Sequence, residues 1–125
     1  MSTLKVTNIQ DTSGGNSSTS AEIYSGRAKA WVNFNGTGTV AINADYNVSS
    51  ITDHGTGRYT INLSNALTDA NFVAVFNGNE SLANSGRFFS APETDSPTSS
   101  SIRCRFLTFA GTSIDAQFAH AAFFR

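Results

Sequence analysis

The side chains able to do acid–base, nucleophilic or metal chemistry are few in this sequence, and their spacing keeps them apart. There are two histidines, His54 and His120, and one cysteine, Cys104. Neither histidine has a second one at ligand spacing, so a mononuclear metal site within one chain would need carboxylates recruited from afar. Only in a trimer, with His120 lining a threefold axis, would imidazoles gather in metal-binding number. One cysteine can form neither an intrachain disulfide nor a cysteine-built zinc site, and at an inward strand position Cys104 reads as packing. Serine is abundant, yet no Gly-x-Ser-x-Gly elbow occurs, and Asp53 beside His54 reads as turn chemistry rather than part of a triad. Glu22, Glu80 and Glu93 fall in loop or linker segments and lack the paired setting that glycoside hydrolysis requires. No catalytic residue, cofactor or metal ligand is expected.

Two Gly-Thr-Gly segments, within Asn35 to Thr39 and His54 to Arg58, each precede an expected strand. A phosphate-cradling loop would need a following helix or Gly-Lys-Ser/Thr, and neither has one. Turns that require positive φ explain the glycines. Asn-x-Ser/Thr occurs at Asn16, Asn35, Asn47, Asn62 and Asn79, as expected by chance in a chain this rich in those residues. The binding chemistry that one chain does offer is aromatic. Tyr24 or Trp31, if exposed, would stack on the apolar face of a sugar ring.

The elements that must position these residues are strands. Ser, Thr, Asn and Gly take the place of Lys and Glu on the polar surface, and they favour turns and β structure over helix. Ala28, Ala30, Val32 and Phe34 alternate with Lys29, Trp31 and Asn33, which predicts a strand ending at Asn35-Gly36. Val40 to Ile51 reads as one strand with a bulge, or as two divided at Asn43 to Asp45. Arg58 to Leu63 is the cleanest alternation, with Tyr59, Ile61 and Leu63 inward. Phe72-Val-Ala-Val-Phe is apolar on both faces and predicts a central strand. A short strand at Arg87 to Ser90 carries Phe88 and Phe89, and a loop with both prolines follows. A hairpin of Ile102 to Phe109 and Ile114 to Phe124 then closes the chain, with Ile102, Cys104 and Phe106 inward.

About seven to eight strands at turn-punctuated intervals predict an all-β fold, an antiparallel, jelly-roll-like sandwich. Its body is expected to span residues 21–125. Residues 1–20 read as an extended arm, with Leu4, Val6 and Ile9 as its apolar contacts, joined by a flexible Ser/Thr/Gly/Asn linker. Trp31, Leu107, Phe109 and Phe123 read as surplus outward apolar residues, too many for a wet face, so a neighbouring subunit is expected to cover them.

Charge narrows the partners. Eight basic and nine acidic residues make up only 14% of the 125, against ~25% in ordinary soluble domains. Nucleic acid and anionic membranes are therefore not expected partners, whereas close packing against further copies of the chain is. Met1-Ser-Thr-Leu-Lys lacks the apolar run of a secretory signal, and synthesis in a cytoplasm is expected.

Met1 to Asn16, Ile23 to Val40 with its Trp31-Val-Asn-Phe-Asn-Gly-Thr-Gly-Thr-Val segment, Tyr46 to Asp53, and Gly57-Arg-Tyr-Thr together resemble the tail-fibre-like proteins of marine tailed bacteriophages. The resemblance implies a virion structural protein, commonly trimeric, whose N-terminal segment (Leu4, Val6, Ile9) joins other virion proteins. Its β body would form a fibre or appendage that meets a host receptor, a surface glycan among the candidates. A capsid decoration or head-fibre protein is the alternative reading, and a free-standing carbohydrate-binding module a third.

Overall fold

The computed structural model describes residues 1–79, 89–92 and 97–125. Its body is an all-β sandwich of two four-stranded sheets in which every neighbouring pair is antiparallel. A two-stranded hairpin, β1 (Asn8–Gln10) and β2 (Ser17–Thr19), and a short helix, α1 (Ser20–Gly26), precede it. The body strands are β3 (Ala30–Asn35), β4 (Ala41–Tyr46), β5 (Val48–Asp53), β6 (Arg58–Leu63), β7 (Val73–Asn79), β8 (Phe89–Pro92), β9 (Ser101–Leu107) and β10 (Phe118–Phe124).

One sheet has the order β4-β3-β10-β7 and the other β5-β6-β9-β8, so the chain passes between sheets four times and wraps around one core. That core consists of the inward residues of each alternation. Val32 and Phe34, Tyr59 and Ile61, Ile102, Cys104 and Phe106, and Ala119, Ala121 and Phe123 are all buried. Phe34, Tyr59 and Phe106 form an edge-to-face triangle with centroids 5.3 to 6.4 Å apart. Phe72 and Phe76 meet Phe123 in the same way at 5.7 and 6.2 Å. Such pairs add about 0.5–1.5 kcal/mol beyond the area they bury.

Several expectations need correction. The last two strands do not pair as a hairpin, because β9 joins β6 and β8 in one sheet while β10 joins β3 and β7 in the other. Phe123 is completely buried rather than outward. Both phases of Ala119-His-Ala-Ala-Phe-Phe are apolar, and the exposed imidazole of His120 fixes which one faces water. β7 is an edge strand rather than a central one, and its Val73 and Val75 are 64% and 56% exposed. The second and third body strands divide at Asn47, not at Asn43 to Asp45. Asn47 has φ 59°, a left-handed conformation that asparagine tolerates better than most residues. Its amide donates to the Lys29 and Asn65 carbonyls at 3.2 and 3.1 Å, and its Oδ1 accepts from the Asn65 N–H at 2.8 Å. The expected strand at Arg87 to Ser90 lies partly outside the described residues, as do Phe88, Glu80 and Glu93, whereas Ala91 and Pro92 extend β8.

The polar tract Asp11 to Ser20 is structured. One Asp11 carboxylate accepts from the Ser13 N–H, the Ser13 hydroxyl, the Gly15 N–H and the Asn16 amide at 2.8 to 3.1 Å, and so closes the hairpin loop. These bonds, that from the Ser13 hydroxyl first, hold its pKa below the ordinary carboxylate value. Thr19 and Glu22 then form a reciprocal capping box that starts α1. Residues 1–27 bury no side chain, and β3 is the first strand to contribute to the core.

Candidate functional site

Strand alternation gives each sheet an outer face, and the two outer faces differ in chemistry. On the β5-β6-β9-β8 sheet, register aligns Thr52 with Thr60 and Arg103, Ser50 with Asn62 and Ser101, and Arg58 with Arg105. The Asn62 amide donates to Ser50 Oγ and Thr52 Oγ1 at 3.1 and 3.0 Å. This face is mainly polar, with Leu107 half-buried at the end of the β9 row.

The β4-β3-β10-β7 sheet is the reverse. One cross-strand row runs Tyr46, Trp31, Ala122, Val75, and beside it Phe124 pairs with Val73. Trp31 is 40% and Tyr46 49% exposed. The next row is polar but uncharged, with Asn33, His120 and Asn77 in register, and Asn43 Nδ2 donates to Asn33 Oδ1 at 3.1 Å. No Asp, Glu, Lys or Arg stands in these rows.

The four residues expected to meet a neighbour are not brought together. Trp31 lies on the apolar face, Leu107 is half-buried on the opposite sheet, Phe109 is exposed in the turn after β9, and Phe123 is in the core. Sequence reasoning missed Tyr46, Val73, Val75 and Phe124 as members of this face. The signal was present in Phe72-Val-Ala-Val-Phe, whose second apolar phase points outward from an edge. Leu4, Val6 and Ile9 are exposed along the arm at 84%, 44% and 58%.

A cleft of about 190 Å³ opens where the end of α1 meets the body, lined by Tyr24, Arg27, Lys29, Tyr46, Thr68 and Arg125 among others. Lys29 Nζ donates to the Tyr24 carbonyl and, at 3.3 Å, to that of Arg27, satisfying carbonyls at the helix end. The same ammonium lies 3.8 Å from the Tyr24 ring centroid and the Arg27 guanidinium 4.9 Å from it. Tyr24, expected as a sugar-stacking platform, is thus engaged by cations of its own chain. Arg125 grips Asp69 through Nε at 2.8 Å and Nη2 at 2.6 Å. These bonds, with help from the Asn71 N–H, hold the Asp69 pKa down at about 2. Beyond Tyr46 a second hollow, of about 340 Å³, is lined by Asn47, Ser64 and Asn65.

The residues singled out for chemistry serve turns or solvent. His54 lies in the β5–β6 turn with its Nε2 2.9 Å from Thr60 Oγ1, and His120 is exposed on the apolar face. Among the described residues no three His, Cys, Asp or Glu side chains cluster as metal ligands would. Both Gly-Thr-Gly segments form turns. Asn35 Oδ1 accepts from the Thr37 N–H at 3.1 Å, and the Asp53 carboxylate from the Gly55 N–H at 2.8 Å. Gly57 needs its φ of 69°, and any Cβ there would fall 2.6 Å from the Ile114 carbonyl. Comparison with known protein families, with curated proteins and with solved structures yields no match to this chain.

Proposed function

We propose that this protein is a non-catalytic structural subunit of a bacteriophage virion, a tail-fibre or tail-appendage component that assembles through the outer face of its β4-β3-β10-β7 sheet. The observation that carries the reading is the contrast between the two outer faces. One presents mainly hydroxyl, amide and guanidinium groups, while the other sets Trp31, Val73 and Val75 toward solvent with Phe124 half-buried beside them. An apolar patch of this kind marks an interaction surface. A second copy of the chain is its best occupant, because the patch carries no charge that pairing would bury and the whole chain has a net charge of only -1. The resemblance to appendage proteins makes a homotrimer the expected assembly, a closed ring in which each copy covers part of its neighbour.

The arm supports the same reading. Its hairpin and helix are exposed throughout, and Leu4, Val6 and Ile9 project from it as contacts for another virion protein. The sequence resemblance over Trp31 to Val40 supplies the phage context.

Light scattering behind size exclusion tests assembly: a particle three times the 13.3 kDa chain is expected, and a monomer at micromolar concentration defeats the claim. Imaging of intact particles tests placement, with density at the tail expected. Density on the head lattice would transfer the protein to capsid decoration.

A further inference from the structure

We infer that the cleft between α1 and the body binds an anionic saccharide, one whose ring hydroxyls are accompanied by a carboxylate. The inference rests on the reading of a non-catalytic binding subunit but not on its self-association, because one chain builds the whole cleft.

Charge argues first. Arg27, Lys29 and Arg125 line the cleft, and the carboxylate paired there, Asp69, occupies only Nε and Nη2 of Arg125. Lys29 is turned onto backbone carbonyls and acts as a brace. That leaves the exposed Arg27 guanidinium and Arg125 Nη1 to meet a ligand, and a planar fork of donors suits a carboxylate.

Hydrogen-bonding capacity argues second. The hydroxyls of Tyr24, Tyr46 and Thr68 have no partner among the described residues, so the cleft offers polar groups for sugar hydroxyls around its cationic end. Tyr46 also supplies what Tyr24 does not, a half-exposed ring whose cation-free face can take the C–H side of a sugar. The hollow beyond it, lined by Asn47, Ser64 and Asn65, is polar and uncharged and accommodates the neighbouring ring. A bare inorganic anion would use the arginines and nothing else, while a neutral sugar would leave them unused.

The test titrates the full-length protein with a trimeric uronate, with a neutral glucose trimer and with inorganic sulfate, read by calorimetry. Saturable binding of the uronate alone is expected, weakened about tenfold by Arg27→Gln and by Tyr46→Ala, with unchanged circular dichroism. Equal affinity for the glucose trimer, equal affinity for sulfate, or a uronate affinity untouched by Arg27→Gln would each overturn the assignment. A monomer that binds the uronate would lose the assembly reading alone. A trimer indifferent to it would lose the saccharide alone.

Discussion

The hydroxyl of Tyr59 on β6 lies 2.9 Å from Oδ1 of Asp115, which also accepts the Gly57 N–H at 2.7 Å. The same hydroxyl donates to the Gly36 carbonyl at 2.7 Å, and the Gly36 N–H donates to the Ala116 carbonyl at 2.7 Å. One buried phenol thereby ties the turn after β3, the turn before β6 and the segment leading into β10. Tyr59→Phe is expected to destabilise the fold by about 1–3 kcal/mol, since it removes a buried hydroxyl shared between the Gly36 carbonyl and the half-buried Asp115 carboxylate. Urea unfolding measures this, and a midpoint unchanged from wild type would show that the contact does not hold the sheets.

The same phenol predicts a response to alkali. Burial, then the Asp115 hydrogen bond and charge, raise the Tyr59 pKa well above its ordinary 10.0. The folded state therefore keeps a proton that the unfolded chain releases. The resulting stability is fully present below pH 10.0 and is lost as pH rises beyond it toward the folded pKa. The advantage of wild type over Tyr59→Phe is expected to shrink above that pH in denaturant titrations. A difference that stays constant through the alkaline range would contradict the linkage.

Gly36 packs against this cluster so closely that a Cβ would fall 2.6 Å from the Tyr59 hydroxyl and 2.8 Å from the Ala116 carbonyl. Gly36→Ala is accordingly expected to cost about 1–3 kcal/mol through overpacking. Thermal unfolding reads it, and a melting temperature equal to wild type would mean that the turn yields without cost.

Alternation made the core largely legible in the sequence: Val32, Phe34, Tyr59, Ile61, Ile102, Cys104 and Phe106 all point inward as read. It failed where both phases are apolar, in β7 and β10, because periodicity cannot say whether a second apolar phase meets another layer or water. The Asp11 loop was hidden for a different reason. Ser, Thr, Gly and Asn look the same in a flexible linker as in a turn closed by one carboxylate. The cleft was illegible because Arg27, Thr68 and Arg125 are far apart along the chain and only sheet topology brings them together.

Phe123 and Phe109 separate the core from the surface by experiment. Phe123 is fully buried against Phe72 and Phe76, so Phe123→Ala is expected to cost about 3–5 kcal/mol. Phe109 is 77% exposed, and Phe109→Ala should stay within about 0.5 kcal/mol. Chemical denaturation of the two variants checks this, and the reverse ranking would mean that the phase of β10 is misassigned.

The assembly face yields a last prediction that depends on position rather than composition. Val75 is 56% exposed on the outer side of the edge strand β7, so in an isolated chain Val75→Asp should change stability by only about 0.5 kcal/mol. In an assembly covered by neighbouring copies, the same substitution leaves a carboxylate without water or a partner, repeated by symmetry in every copy, at a cost of several kcal/mol. Dissociation to a folded monomer is the expected result, visible as a fall in light-scattering mass with circular dichroism unchanged. Thr60→Asp serves as the control, because Thr60 stands between Thr52 and Arg103 on the polar outer face and its replacement should leave the mass alone. If both variants keep the wild-type mass, or only Thr60→Asp loses it, the apolar face is not where the copies meet.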